Sequence, residues 1–258
     1  MNAPRRAATG GASHPAAGLV GVSLTLLSLA LASTLTAVGA ISPRMARRGV
    51  TPAAPWEDDA EITLDEEARV AFDTAAAWRS DAGHAVADAD WHPVGYPALF
   101  RVLWRASAAR IPLSTHDLTL VEPLTAWLVQ EGRALTAPEL LGGLTEARAF
   151  ERRTIADFAA FDAVLTPALA QSPRPVGWYA GHDPERTFAM QVEYAPYSSF
   201  VNVAGLPALT LPVTRDAEGH PVAVQLIGRP GGEAALLALG AELEARRGPL
   251  PHPPAWDA

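Results

Sequence analysis

Cysteine is absent from the 258-residue chain, and so is lysine: all 20 basic side chains are arginine. The first absence excludes disulfides, thiolate metal sites and a cysteine nucleophile, and leaves the compartment open. The second removes the amine that can shed its proton when buried. Arginine keeps its proton, so it cannot replace a lysine as general base. Positive charge is in short supply too, with 28 acidic side chains giving a net charge of -8. A nucleic-acid backbone would be repelled by most of the surface, so no nucleic-acid partner is expected. A small neutral substrate or a protein partner fits this balance better. The seven histidines, His14, His84, His92, His116, His182, His220 and His252, show no pair at metal-ligand spacing, and no metal or organic cofactor is expected.

Charge of either sign is missing between Arg6 and Arg44, and Gly18 to Ile41 is a 24-residue stretch of small and apolar residues. Its length would span a bilayer. With Arg5 and Arg6 in front and Ala30-Leu31-Ala32 or Val38-Gly39-Ala40 behind, it also has the outline of an export signal. A buried core helix is the third reading. A cytoplasmic protein is the expectation, with membrane association or export through residues 18–41 as the alternative.

From Arg47 onward the texture is that of an α/β domain, and 49% apolar residues supply a sizeable core. Three segments are expected: 1–46, 47–247 and a loose Pro-rich tail, 248–258. Thr63 and Glu66 form a capping-box pattern ahead of a helix with Val70, Thr74 and Trp78 at four-residue spacing, ending at Gly83. His84-Ala85-Val86 reads as a short strand. Prolines and glycines divide Pro93 to Leu144 into short helices and loops of the kind that cover a pocket. A second amphipathic helix starts at Thr145, with Phe150, Thr154, Phe158 and Phe161 along one side. Asp162 to Pro167 reads as a strand, because Pro167 disfavours helical backbone at Thr166. "LPALTLPV" and "PVAVQLIG" form a hairpin around Asp216 and Gly219, and Gly231 to Arg247 forms a helix with Leu236, Leu239 and Leu243 on one stripe. Gln225 is expected to be an interior amide with its hydrogen bonds made, Ser198-Ser199 a helix or loop feature, and Glu57-Asp58-Asp59 a solvated turn.

"FVNVAGLPALTLPV", "GHPVAVQLIGRPGGEAALLALGAELE" and "FDAVLTPAL" resemble the C-terminal portion of the amidase signature family. "RRGVTPAAPW" and "LDEEARVAF" are similar to its middle strand and helix. The resemblance implies an α/β fold with a mixed β-sheet flanked by helices. It also implies hydrolysis of a carboxylic amide to acid and ammonia or amine, without cofactor, on a small-molecule amide substrate. The family's relay uses a serine nucleophile, a bridging serine and a lysine, with glycine-rich backbone serving the oxyanion.

"TGGASHPAAGLVGV" resembles the end of the nucleophile loop. Thr9-Gly10-Gly11 match its approach and Pro15-Ala16-Ala17 its exit, but the interval is one residue short. Ala12 or Gly11 falls at the nucleophile position, and His14 stands where the family has arginine. Ser13 is the candidate nucleophile if the loop is reshaped, with Gly10 and Gly11 as backbone donors. The lysine and bridging serine are missing, so the resemblance implies an amidase-type chain that does not turn over amides alone. A non-catalytic fragment or partner subunit is the alternative, self-associating or pairing with a second chain through an incomplete sheet.

Overall fold

The computed structural model describes residues 47–250. Strand β1 (Arg47–Val50) is followed by helix α1 (Glu66–Asp81), strand β2 (Ala85–Asp88) and helices α2 (Tyr96–Ala109), α3 (Pro123–Ala134) and α4 (Ala137–Phe158). Strand β3 (Ala163–Pro167), helices α5 (Pro184–Tyr194) and α6 (Ser199–Val203), strands β4 (Ala208–Arg215) and β5 (Pro221–Gly228), and helix α7 (Glu233–Arg247) complete the order. The strands form one mixed sheet, β2-β1-β3-β5-β4. β2, β1 and β3 run parallel, whereas β5 is antiparallel to both β3 and β4. The short β4–β5 turn dictates that last pairing, since a parallel pair would need a crossover.

Helices cover both faces. α1 and α7 lay Ala71, Phe72, Ala75, Leu236, Leu239 and Leu243 against Ala163, Leu165, Leu211, Val224 and Leu226. On the other face Trp91, Phe150, Phe158, Phe188 and Phe200 pack with Val164 and Ile227. Because β3 lies under both layers, all five of its residues are buried.

The strands, the hairpin and α7 match the sequence reading, and the helix starts are corrected. Asp65, not Thr63, is the N-cap residue of α1, and its carboxylate turns away to Ser172 and Arg174. The buried face of α1 is Ala68, Ala71, Phe72, Ala75 and Arg79, while Val70 is 42% exposed. The apolar spacing admitted both stripes, and the small alanines win by letting α1 approach the sheet closely. α4 begins at a capping box of Thr136 and Glu139, so Thr145 lies inside the helix and donates to the Leu141 carbonyl at 2.8 Å. Gly142-Gly143 does not break the helix. A Cβ on Gly143 would stand 2.6 Å from Val102 Cγ1, so this glycine permits the close packing of α4 on α2. Nor is Glu57-Asp58-Asp59 merely solvated. Glu57 accepts from the Ala54 amide, Asp58 from the Gly95 amide and Asp59 from Arg101, tying the turn to the start of α2.

Candidate functional site

Ser13, Gly10 and Gly11 lie outside the described residues, as does the apolar stretch 18–41. Among the described residues no helix is long and apolar enough to cross a membrane. The binding geometry that the structure does show is a cleft of about 820 Å³ beyond the C-terminal end of β3. Its walls are the loop 174–182, the start of α3 at Glu122–Thr125, and Thr187, Gln191 and Tyr194 of α5. In α/β sheets a ligand crevice commonly opens at this end of the strands, where loops diverge.

The loop is held from below. Asp65 accepts from the Ser172 amide at 2.9 Å and pairs with the Arg174 guanidinium at 3.4 Å. Arg174 also donates to Gln171 and stacks over the Trp178 ring, 5.2 Å from its centroid. Two turns follow, closed by the Trp178 amide on the Pro175 carbonyl and the Ala180 amide on the Gly177 carbonyl. Asp183 then caps α5 by accepting from the Arg186 amide. The outcome is an aromatic and aliphatic wall of Pro175, Val176, Trp178 and Tyr179 with Arg174 and His182 among it. Burial, and then the neighbouring Tyr194, raises the Tyr179 phenol above its ordinary pKa, so it enters the cleft wall as a hydrogen-bond donor.

Behind the cleft a buried polar knot fixes the approach to β4. Gln225 donates to the Thr166 hydroxyl at 3.2 Å and to the Tyr197 carbonyl at 2.9 Å, confirming it as a satisfied interior amide. The Tyr197 hydroxyl donates to the Pro52 carbonyl, and burial raises its pKa. Ser198 and Ser199 open the short helix α6, which ends at Val203, and Gly205 just beyond it, with a φ of 62°, turns the chain toward β4.

Among the described residues no serine or threonine hydroxyl is hydrogen bonded to a histidine ring. His84 instead bonds to Glu242, and His220 bonds to Asp216. Asp216, Glu218 and His220 bring ligand atoms within 4.8 Å, but Asp216 already accepts from the amide and ring of His220 to close the β4–β5 turn. The arrangement can therefore enclose and orient a ligand, and among the described residues none of its hydroxyls is paired with a histidine base.

The reading of Pro93 to Leu144 as a pocket cover takes in Glu122–Thr125, whereas sequence reasoning passed over the cleft loop 174–182 and the α5 residues. Their signal was the density of turn formers and aromatics in "SPRPVGWYAGHDP", too long a connection to be a simple link. The tether from Asp65, more than a hundred residues earlier, left no local signal.

The sequence and the fold are similar to those of known proteins. The chain is 34% identical to AmiC of Mycobacterium tuberculosis over 134 residues, which is 52% of this chain and 28% of AmiC. It is 29% identical over 162 residues to a Synechocystis protein, covering 63% of this chain and 31% of the other, and both relatives carry amidase names. The chain thus spans about a third of the length of these relatives. Among solved structures, the fold resembles 6-aminohexanoate cyclic dimer hydrolase with a TM-score of 0.70 and 23% identity, over 84% of this chain and 48% of the hydrolase. A Kluyveromyces lactis allophanate hydrolase aligns with a TM-score of 0.57 and 18% identity, over 80% of this chain and 33% of that one. The Amidase family profile matches residues 44–237, so the chain belongs to the amidase signature family.

Proposed function

We propose that this chain contributes the substrate-enclosing part of an amide hydrolase that converts a small-molecule carboxylic amide to acid and ammonia or amine, and that it does not complete turnover by itself. The observation that carries this reading is the cleft walled by the loop 174–182 inside the segment that matches the family. The amidase names of the relatives and the hydrolase names of the structural neighbours support the same reaction class. The incomplete relay supports the second half of the proposal. A hydroxyl becomes a competent nucleophile only with a proton acceptor behind it, and this sequence has no lysine to serve.

The test combines binding and chemistry on the full chain. A simple arylamide is titrated while tryptophan emission is followed, with Trp178→Phe as reference, and a fluorophosphonate probe reports an activated serine. The expected result is saturable quenching that Trp178→Phe diminishes, without probe labelling or amide loss. Saturable hydrolysis abolished by Ser13→Ala would overturn the claim that the chain is incomplete alone. Absence of any arylamide binding would overturn the cleft assignment.

A further inference from the structure

Asp65 is the N-cap residue of α1, and aspartate is among the strongest capping residues, yet its carboxylate makes no cap bond. One oxygen, Oδ2, instead accepts from the Ser172 amide at 2.9 Å and from Arg174 Nη2 at 3.4 Å. The Asp65 amide also donates to the Ala170 carbonyl at 2.8 Å, so backbone and side chain together fasten the segment that leaves β3. That fastening needs no charge. A neutral carbonyl oxygen would hold the Ser172 N–H in the same way, and what the charge adds is the pairing with Arg174.

Arg174 matters to the cleft because of its surroundings. Among the described residues it is the only arginine in the cleft walls, and the chain has no lysine, so His182 is the single other wall residue able to carry positive charge. Its Nε is taken by Gln171 and its Nη2 by Asp65, while Nη1 has no acceptor among the described residues. The guanidinium stacks on Trp178, whose ring remains 41% exposed. Burial and then Tyr194 raise the Tyr179 phenol, and the Arg174 charge pulls against them, so these side chains feel one another across the wall. The side chains of Asp65 and Arg174 are each 29% exposed, a half-sheltered setting in which charges act more strongly than in open water.

An unpaired guanidinium beside an aromatic wall is a recognition element for a carboxylate. Paired with Asp65, it is a flat and nearly neutral partner of Trp178. The other acids nearby work in the same direction. Glu67 accepts from the Ser172 hydroxyl at 3.3 Å, and the exposed Glu122 stands at the start of α3. A ligand carboxylate would compete with Asp65 for Arg174 and meet both of these acids.

We propose that Asp65 determines which amides the cleft admits: by neutralising Arg174 it selects uncharged aryl amides against amides that carry a carboxylate. The inference rests on the cleft being the amide site, and Asp65 acts there through Arg174.

The experiment is calorimetric titration of the full chain with methyl para-acetamidobenzoate and with para-acetamidobenzoate, an ester and an acid on the same arylamide. Wild type is compared with Asp65→Asn and with Asp65→Asn/Arg174→Gln. Asparagine keeps an acceptor oxygen for Ser172 and is itself a good N-cap residue, so the loop and α1 are retained. Wild type should bind the ester at least about tenfold more tightly than the acid. Asp65→Asn should strengthen acid binding about tenfold at low salt, Glu67 and Glu122 limiting the gain, and leave the ester within about twofold. The gain should shrink as salt is added and vanish in the double variant. Arg174→Gln alone approaches the pair from the other side. It leaves Asp65 unopposed and should weaken the acid further, by about threefold. A merely structural Asp65 would weaken both ligands together in Asp65→Asn, and that result overturns the inference. So does an unchanged ester-to-acid ratio in both single variants, or a gain that survives in the double variant, and each leaves the cleft reading standing as long as the ester binds. Failure of every variant to bind either ligand overturns the cleft reading, and this inference with it.

Discussion

Beneath α1 and α7 the sheet meets alanine, valine and leucine, with Phe72 the sole aromatic ring among the fully packed residues of that cluster. On the opposite face Trp56, Trp91, Tyr96, Phe150, Phe158, Phe188 and Phe200 are packed together, several in edge-on or tilted pairs such as Trp56 on Tyr96 and Trp91 on Phe200. Small branched side chains fill a flat layer between a sheet and two helices. Large rings must be fitted individually, and the helices that carry them, α2 to α6, leave uneven space between them. The cleft lies on the aromatic side for that reason. The aliphatic side holds a different feature, a buried ionic cluster in which Arg79 and His84 share Glu242 while Arg48 lies close by.

That contrast can be broken from either face. The largest effect is expected on the aromatic side: Trp91→Ala empties a buried ring and should cost about 3–5 kcal/mol in denaturant unfolding. On the aliphatic side Glu242→Ala should cost about 3 kcal/mol, because Arg79 is left buried without its partner. The corresponding fall in melting temperature is about 6–12 °C.

Arg48 is expected to act in the opposite sense. Its Nε and Nη1 are buried without hydrogen-bond partners, and burial, followed by repulsion from Arg79, lowers its pKa to about 10. A base with a lowered folded pKa binds fewer protons folded than unfolded between that value and the ordinary 12.5, so stability rises with pH across this window. At neutral pH the deficit is fully present. Arg48→Met should therefore stabilise the chain by on the order of 1–2 kcal/mol, and a decrease in melting temperature would show that the guanidinium has a necessary anionic partner.

A smaller loss, about 1–2 kcal/mol, is expected for Gly143→Ala, where the new methyl group must displace Val102 at the α2–α4 crossing. The smallest effect concerns the start of α4. Hydrogen bonds from the Thr136 side chain and backbone hold the Glu139 carboxyl below its ordinary 4.5. An acid with a depressed folded pKa contributes stability above its unfolded value and loses it as pH falls through the folded one. The difference between wild type and Thr136→Ala should narrow as the melt is taken from neutral pH to below the carboxylate range. A constant difference would mean that the hydroxyl acts without the carboxylate.

The aliphatic half of the molecule was largely readable from the chain. β3 was marked by Pro167, the hairpin by Asp216 and Gly219, and α7 by Leu236, Leu239 and Leu243, all local patterns within one element. α1 was read as a helix but rotated, since Val70-Thr74-Trp78 and Ala71-Phe72-Ala75 are equally periodic until a sheet selects one. On the aromatic side, Gly142-Gly143 read as a break because a glycine pair lowers helix propensity, and only the neighbouring Val102 explains its place inside α4. The cleft was unreadable for the same reason: it requires α3, α5 and a loop tethered by Asp65 to meet.

The sequence by itself determined the α/β class, the C-terminal hairpin and helix, the family resemblance and the want of any lysine base, because each is a matter of composition or of spacing within about twenty residues. Tertiary structure alone decided which stripe of α1 is buried, where the cleft opens, and how Arg48 and Arg79 come to share one carboxylate's neighbourhood. Those depend on contacts between residues far apart in the chain, where distance and desolvation, rather than periodicity, set the energy.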